Sequence, residues 1–406
     1  MIVAAQGNSA EGSGVFRRHV LYIPGYDPFP PRRYRELYRS EGAAQAAISG
    51  YALTVAPRQG EGYGWQVHAR IEGRDCETEV EVLVWSDLVR ASMDRGILGT
   101  YGQLVRTGWL YLSSGALGRL IRLRKGPMIA ALYPAVLLVL QALVALAVGA
   151  AICWATSGLP RGLGWILAAG GVWAVLEGFR RLDRRMFVHY LMHDYAFTTV
   201  AGGAYPPALE ARLAEFRARI RRAMTSAVVD EVLVVGHSSG VHLAVSVLAD
   251  LLREGVPNGP ALGFLSLGHA VPMVSFLPKA GRLRGDLAFL STRAELTWVD
   301  VSAPGDGCSF ALCDPVAVSG VAPEGQRWPL VISAAFSQTL SPELWQALKR
   351  RYFRLHFQYL CAFDRPGDYD YFSITAGPLT LGERFRGRKP SASRITRPLS
   401  PHRSVA

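Results

Sequence analysis

Residues 231–252 read EVLVVGHSSGVHLAVSVLADLL. The apolar, β-branched start predicts a buried strand over 231–235, and the apolar spacing over 241–252 predicts a helix. Between them stands GHSSG, residues 236–240, which fits the pattern G-x-S-x-G. Strand, G-x-S-x-G and helix form the layout of a nucleophile elbow, in which a strained turn exposes a serine hydroxyl at the top of a sheet. The stretch therefore predicts an α/β fold with Ser238 at the tip of that turn.

Glycine at both ends of this motif has a steric explanation. A larger side chain at Gly236 or Gly240 is expected to collide where the strand and the helix pass close together. Both positions are therefore expected to require glycine.

Other strand-like and helix-like segments lie on both sides of the motif. The strand-like runs are residues 18–23, 64–71 and 79–85 before it, and 262–267 and 296–301 after it. Residues 206–224 carry Leu209, Leu213, Phe216 and Ile220 at helical intervals. Strands that alternate with helices imply an α/β fold with a mostly parallel sheet and helices on both faces.

The most apolar part of the chain lies between two basic clusters, 119–125 and 180–185. Residues 128–154 carry no charge and are long enough to cross a bilayer as a helix, which takes about 20 residues. After a turn at 157–162, residues 163–179 form a second run of minimal spanning length. The alternative is a buried helical hairpin in a soluble protein, but the length of the first run favours the membrane. The positive-inside rule then places both ends of a two-span hairpin, and both termini, on the cytoplasmic side of the plasma or inner membrane.

The hairpin is expected to interrupt a single α/β domain. The expected parts are residues 1–118 and 186–382 for this domain, 119–185 for the hairpin with its basic flanks, and 383–406 for a basic tail. From residue 384 on, the tail carries seven basic and no acidic residues and is rich in Arg, Ser and Pro. Such a composition predicts disorder.

The stretch before the hairpin leaves two placements open. Residues 97–123 are rich in glycine, with scattered Leu, Tyr and Trp. Both a location along the membrane surface and packing in the core are consistent with this pattern.

The distribution of charge argues against a nucleic-acid partner. The net charge is +12, but the excess lies in the two clusters beside the hairpin and in the tail, so the rest is nearly neutral. No basic groove with interleaved aromatic residues emerges. The five cysteines are widely spread without metal-finger spacing, which indicates free thiols.

The elbow resembles that of the α/β-hydrolase family of serine esterases and lipases. The resemblance implies a serine hydrolase that acts on ester bonds without a cofactor. Ser238 corresponds to the nucleophile, and the backbone N–H of Ser239 to one oxyanion donor. The loop IPGYD, residues 23–27, resembles the family's oxyanion loop, which makes the Tyr26 N–H the second expected donor. The match is partial, because Pro24 stands where the family commonly has histidine.

His356 is the expected general base. In the family the nucleophile, the acid and the histidine follow in this order, and only His356 and His402 lie beyond the acidic candidates. His402 falls in the tail. The segment around His356 is typical of a helix, and no clear strand directly precedes it. His237 and His242, close to the nucleophile, are expected to be structural, and His269 to line the rim of the pocket.

Three aspartates are candidates for the acid that orients the histidine and stabilises the imidazolium. Asp306, in the loop after the predicted strand 296–301, is the first choice. Asp314 is the second choice, and Asp300, still inside the strand, is the third. Asp306 precedes a glycine, so a simple turn residue is the alternative interpretation.

His189 and His193 form a competing pattern. Histidines four residues apart share one helix face and are a known metal-binding arrangement. The glutamate of a metalloprotease helix is absent and no third ligand is apparent in the sequence, so no metal site is predicted.

Together these features predict a membrane-anchored serine hydrolase that cleaves carboxylic ester or thioester acyl bonds through Ser238, His356 and Asp306. The expected partners are an acyl ester or lipid-like substrate and the bilayer, and the oligomeric state is left open. Two alternatives remain: a non-catalytic membrane scaffold with a hydrolase fold, and an acyltransferase that uses the same triad.

Overall fold

The computed structural model describes residues 15–256 and 259–406. The strands in these residues are β1 Phe16–Ile23, β2 Ala52–Pro57, β3 Tyr63–Ile71, β4 Arg74–Val82, β5 Glu231–His237, β6 Ala261–Leu267, β7 Leu296–Ser302 and β8 Leu330–Ser333. The helices before β5 are α1 Arg32–Ser49, α2 Ser86–Met93, α3 Ile97–Ser113, α4 Ala116–Leu123, α5 Lys125–Ala155, α6 Arg161–Arg181, α7 Asp183–Met186, α8 Val188–Thr199 and α9 Pro207–Met224. Those after β5 are α10 Gly240–Arg253, α11 Val271–Ser275, α12 Gly281–Ser291, α13 Pro315–Val318, α14 Phe336–Thr339, α15 Pro342–Leu348, α16 Tyr352–His356, α17 Tyr371–Ala376 and α18 Leu381–Arg384.

The strands form one mixed sheet in the order β2-β3-β4-β1-β5-β6-β7-β8. From β4 to β8 all neighbouring strands are parallel, whereas β3 pairs antiparallel with both β2 and β4. Every residue of β5 is buried, as expected for a strand that is covered on both faces. The expected α/β class with a mostly parallel sheet is therefore confirmed.

Helices cover both faces of the sheet. On one face α9, α10 and α12 pack on a core that includes Val234 of β5. On the other face α1 and α17 pack on a core that includes the next residue, Val235. Successive side chains of a strand point to opposite faces, so a strand between two cores must be apolar throughout. This explains the unbroken apolar run in β5.

The chain changes its winding direction between β1 and β5. From β1 the chain runs through α1 to β2 at the edge of the sheet and comes back through β3 to β4, which lies beside β1. It later enters β5 on the other side of β1. In open α/β sheets, ligands bind beyond the carboxyl ends of the strands at such a switch point. Here these ends are the loop after Ile23 and the turn after His237. The topology therefore marks this position as the expected place of a site.

Helices α2 to α8 form a long insertion between β4 and α9. The insertion leaves from the carboxyl end of β4. It returns at the start of α9, whose far end leads into the amino end of β5. It therefore stands on the same edge of the sheet as the switch point.

Two helices of the insertion are long and apolar enough to cross a membrane. They are α5 and α6, and only 22% and 11% of their most apolar windows are buried. A buried hairpin in a soluble protein would be mostly covered, so the exposure does not support that alternative. The two helices pack closely at Gly149, where an added Cβ would lie only 2.7 Å from Val172 Cγ2.

The C-terminal segment differs from the expected disordered tail 383–406. Ile395 forms a parallel bridge with Cys313, and the Leu399 N–H donates to the Val318 carbonyl at 3.0 Å. Leu399 is also buried. A few apolar residues and backbone hydrogen bonds thus hold this segment on the domain despite its polar composition. The expectation of disorder does not hold for these residues.

Candidate active site

Ser238 occupies a sharp turn between β5 and α10. Its φ of +56° lies in the left-handed region, which residues other than glycine rarely adopt. The Ser238 N–H donates to the Leu267 carbonyl at 2.9 Å, which ties the turn to the end of β6. The side chain is half-buried. This is the strand–turn–helix geometry that the motif predicts.

The two glycines of the motif meet different neighbours. A Cβ at Gly236 would lie 2.9 Å from the Cα of Val241, at the start of α10. A Cβ at Gly240 would lie 2.2 Å from the Ile23 carbonyl oxygen, in β1. Gly236 therefore permits the close approach of helix and strand that the sequence suggested, whereas Gly240 makes room for the chain at the end of β1.

The loop after β1 lies directly against the turn. A Cβ at Gly25 would lie 3.0 Å from the Ser238 Cβ. The loop is held in place by the indole N–H of Trp85, which donates to the Pro24 carbonyl at 2.9 Å. The Asp27 carboxylate accepts from the Tyr34 hydroxyl at 2.6 Å. These contacts fix the loop beside the serine.

The two expected oxyanion donors are available. Neither the Tyr26 nor the Ser239 backbone N–H donates to an acceptor within residues 15–256 and 259–406. The Tyr26 carbonyl, in contrast, accepts from the hydroxyl of Tyr190 on α8. The loop is thus anchored through its carbonyl groups and not through these donors.

His356 and Asp306 form a buried pair. His356 Nδ1 lies 2.8 Å from Asp306 Oδ2. Because an ionised carboxylate only accepts hydrogen bonds, Nδ1 carries the proton and Nε2 is the accepting nitrogen. The His356 ring centroid lies 4.8 Å from that of His237, the residue before Ser238. The structure therefore brings the expected base and acid together beside the turn of the expected nucleophile.

Asp306 accepts two further hydrogen bonds. The Tyr359 hydroxyl donates to Oδ2 at 3.0 Å, and the Cys308 N–H donates to Oδ1 at 2.9 Å. Burial opposes the ionisation of Asp306, but the electrostatic interaction and hydrogen bond with His356, together with the Cys308 N–H, outweigh burial, so the pKa of Asp306 is lowered. The acid is thus held ionised, the form that orients a histidine and stabilises an imidazolium.

No hydrogen bond joins Ser238 Oγ to His356 in the part of the chain that the structure describes. In serine hydrolases in general, such a contact is often long in the free protein and tightens only when substrate binds. The structure thus contains the hydrogen bond between His356 and Asp306, but none between His356 and Ser238 Oγ among the described residues.

The other acidic candidates have different partners. Asp314 caps α13, where its carboxylate accepts from the N–H groups of Val316 and Ala317. Asp300 accepts from the Ser266 hydroxyl at 2.6 Å and lies 3.9 Å from His269 Nε2. Neither of these carboxylates is hydrogen-bonded to His356 among the described residues, which leaves Asp306 as its partner.

The histidines close to the turn have structural contacts. His237 donates from Nε2 to the His356 carbonyl at 3.0 Å, which holds the two segments together. His242 packs against Tyr205, whose hydroxyl lies 3.0 Å from its Nδ1. Burial lowers the pKa of both histidines to about 3, so both are neutral near pH 7. His269 donates a hydrogen bond from Nε2 to the Cys313 carbonyl at 2.9 Å.

The histidine pair of α8, His189 and His193, belongs to no cluster of three close metal ligands in the described residues. His193 Nδ1 lies 2.7 Å from the Gln103 amide oxygen. His402 lies in the C-terminal segment, where its N–H donates to Ser400 Oγ at 3.2 Å.

Cys308 and Asp194 lie close to His356, and the sequence predicted a role for neither of them. The ligand atoms of Cys308, Asp306 and His356 lie within 4.8 Å of one another and could hold a metal ion. Burial raises the pKa of Cys308, so its thiol is protonated when no metal ion is bound. Burial also raises the pKa of Asp194, on α8, to about 7, opposed by the charge of His356. Asp194 comes close to His356 because α8, which carries it, belongs to the insertion on this edge of the sheet.

Tyr359 was also missed. It stands three residues after the predicted base in an apolar segment, where a tyrosine is ordinarily a core residue. No spacing in the sequence links it to Asp306.

No protein-family model, curated protein or solved structure matches the chain.

Proposed function

We propose that this protein is a membrane-anchored serine hydrolase of the α/β-hydrolase type that cleaves carboxylic ester or thioester acyl bonds. The observation that carries the proposal is the buried hydrogen bond between His356 and Asp306 beside the strained turn of Ser238. A serine hydroxyl is a weak nucleophile until a base takes its proton. The Nε2 atom of His356 is free to accept that proton because Nδ1 is committed to Asp306.

The reaction has two halves. Ser238 Oγ attacks the acyl carbon while its proton passes to His356 Nε2, and Asp306 stabilises the resulting imidazolium. The carbonyl oxygen becomes an oxyanion that accepts from the N–H groups of Ser239 and Tyr26, each worth about 3 kcal/mol of barrier. The bond to the leaving group breaks, and His356 returns the proton to it. Water then releases the acyl group from Ser238 by the same steps.

The insertion suggests where the substrate comes from. It carries both apolar helices, α5 and α6, and it stands on the sheet edge that holds the candidate site. Acyl compounds dissolved in a bilayer are therefore the substrate class that this arrangement favours. As part of the proposal, the basic clusters at both ends of the hairpin place the catalytic domain and both termini on the cytoplasmic side.

Labelling with a fluorophosphonate probe tests the catalytic role. The wild-type protein is expected to react, and Ser238→Ala is expected to lose the label. Ser239→Ala is the matched control and is expected to keep it, because the role of Ser239 is carried by its backbone N–H. Equal labelling of the wild type and Ser238→Ala would contradict the proposal.

The two other functions give different results in the same experiment. A folded wild-type protein that never reacts with the probe would indicate a non-catalytic scaffold. An acyltransferase would react, but it would direct the acyl group to an added alcohol in preference to water.

A further inference from the structure

Helix α3 has two unlike faces. Thr100, Thr107 and Tyr111 are buried on one side, where the Tyr111 hydroxyl donates to the Met273 carbonyl at 2.8 Å. The opposite side carries a stripe of large apolar side chains that are 65–76% exposed: Leu98, Val105, Trp109 and Leu112. Their spacing puts all four on one face of the helix. An exposed apolar stripe of this size is unusual for a face that meets only water.

The stripe continues the exposed surface of the hairpin. The Tyr101 hydroxyl, on α3, donates to the Leu138 carbonyl in the middle of α5 at 3.0 Å. The neighbouring residues Val139 and Leu143 of α5 are more than half exposed. Helix α3 thus lies alongside the first helix of the hairpin, and the apolar faces of both are open.

The charges around the stripe favour a lipid surface. No acidic residue stands between Asp94 and Glu177. Arg119 and Arg122 on α4 and Lys125 at the start of α5 follow α3 in the chain, are exposed, and form no ion pair within the described residues 15–256 and 259–406. Such a cationic segment next to an apolar helix attracts the anionic headgroups of a membrane. Two copies of the chain that paired through this face would instead bring like charges together.

We propose that the Leu98–Leu112 face of α3 docks in the surface layer of the same bilayer that α5 and α6 cross. The proposal rests on the membrane hairpin of the proposed function, and it adds a third membrane contact that does not span. An interfacial helix of this kind buries its apolar face at the boundary of headgroups and acyl chains.

The docked helix would hold the site close to the lipid. Helix α3 packs on α8, where Thr107 Oγ1 lies 3.1 Å from Thr199 Oγ1. Helix α8 in turn contacts the loop after β1 through Tyr190 and Tyr26. The face of α3 is therefore connected to the expected oxyanion loop through one helix.

Photocrosslinking of the full-length protein in vesicles of phosphatidylglycerol and phosphatidylcholine tests this proposal. The photoreactive residue benzoylphenylalanine replaces Val105 or Trp109, and mass spectrometry identifies the adducts. The matched control is the same residue at Ala214, which is exposed on α9. A third position, Leu143 on α5, reports on the hairpin itself. We expect lipid adducts at Val105, Trp109 and Leu143 and none at Ala214.

Other outcomes overturn the proposal in distinguishable ways. A lipid adduct at Leu143 with none at Val105 or Trp109 would leave the hairpin in the membrane and remove α3 from it. A crosslinked dimer through Val105 would assign the face to a second copy of the chain. The absence of adducts at all positions, Leu143 included, would contradict the hairpin as well, whereas the catalytic role is tested separately by the fluorophosphonate probe.

Discussion

Ser238, Asp306 and His356 reach the carboxyl edge of the sheet from three separate segments, and a different contact positions each. The backbone of Ser238 is fixed to Leu267, Asp306 is held by a tyrosine and a backbone N–H, and His356 is oriented by Asp306. The motif and the family's order of residues were sufficient to propose these three. Tyr359 was not predictable, because its contact with Asp306 depends on how the chain returns after α16.

Tyr359→Phe tests the support of the acid. The substitution removes the hydroxyl that donates to Asp306 and that accepts from the Ala303 N–H. One such hydrogen bond contributes about 1.4 kcal/mol, so we expect kcat to fall about tenfold with little change in KM. Tyr352→Phe, at an exposed position, is the control. An unchanged kcat in Tyr359→Phe would show that Asp306 does not depend on this contact.

Asp194→Asn tests the unusual acid on α8. The folded protein holds the Asp194 proton up to a pKa of about 7, whereas an unfolded chain releases it near pH 4. Between these values the folded state binds more protons, so the free energy of unfolding falls as pH rises, by up to about 1.4 kcal/mol per unit. Asparagine does not ionise. We therefore expect the Tm of Asp194→Asn, relative to the wild type, to increase from pH 4 to pH 7 and then to level off.

The exposed Asp94→Asn is the control for this measurement. Thermal unfolding in detergent at a series of pH values gives the Tm difference between each variant and the wild type. A Tm difference between Asp194→Asn and the wild type that stays constant over this range would mean that the Asp194 carboxyl is not protonated in the folded state.

At the scale of the elements, apolar patterning predicted β1, β3, β5, β6 and β7 and the second half of β4, and it predicted α9 and α10 almost to their ends. It missed α1, in which Tyr34, Tyr38 and Gln45 take buried positions that an apolar residue usually occupies. It also missed β8, whose four residues are too few to show a period. Both elements owe their place to tertiary packing, which local periodicity does not report.

Gly240→Ala tests the junction of α10 with the end of β1. The new Cβ would lie 2.2 Å from the Ile23 carbonyl oxygen and 2.6 Å from that of Pro24, so the loop that carries Tyr26 must move. A displacement of about 1 Å in an active site can cost roughly a hundredfold in rate, and we expect kcat/KM to fall by that order together with a lower Tm.

Gly118→Ala is the matched control for this change. Gly118 lies in α4, and a Cβ there would meet nothing within 4 Å. Alanine in an open helical position is expected to stabilise by up to about 1 kcal/mol and to leave the rate unchanged. Wild-type kcat/KM in Gly240→Ala would show that the turn and the loop need not be in contact.

At the scale of the whole molecule, the sequence predicted an α/β domain interrupted by an apolar hairpin, and the structure adds where the interruption stands. The switch point between β1 and β5 and the insertion share one sheet edge, which composition alone does not reveal. In the C-terminal segment, composition alone gives the wrong expectation. Its Arg, Ser and Pro content indicates disorder, yet Ile395 and Leu399 dock on surfaces formed by residues far away in sequence.

The membrane topology is testable by thiol accessibility in intact cells, with Cys153→Ser as the parent. A cysteine at Ser157, in the turn between α5 and α6, is expected to react with a membrane-impermeant maleimide from outside. A cysteine at Ala227, exposed between α9 and β5, is expected to react only after permeabilisation. The physical reason is that the basic clusters at both outer ends of the hairpin resist translocation, whereas the connecting turn carries only Arg161. Equal reaction at both positions before permeabilisation would mean that the hairpin does not separate them by a bilayer, and the proposed acyl substrate would then have to reach Ser238 from solution.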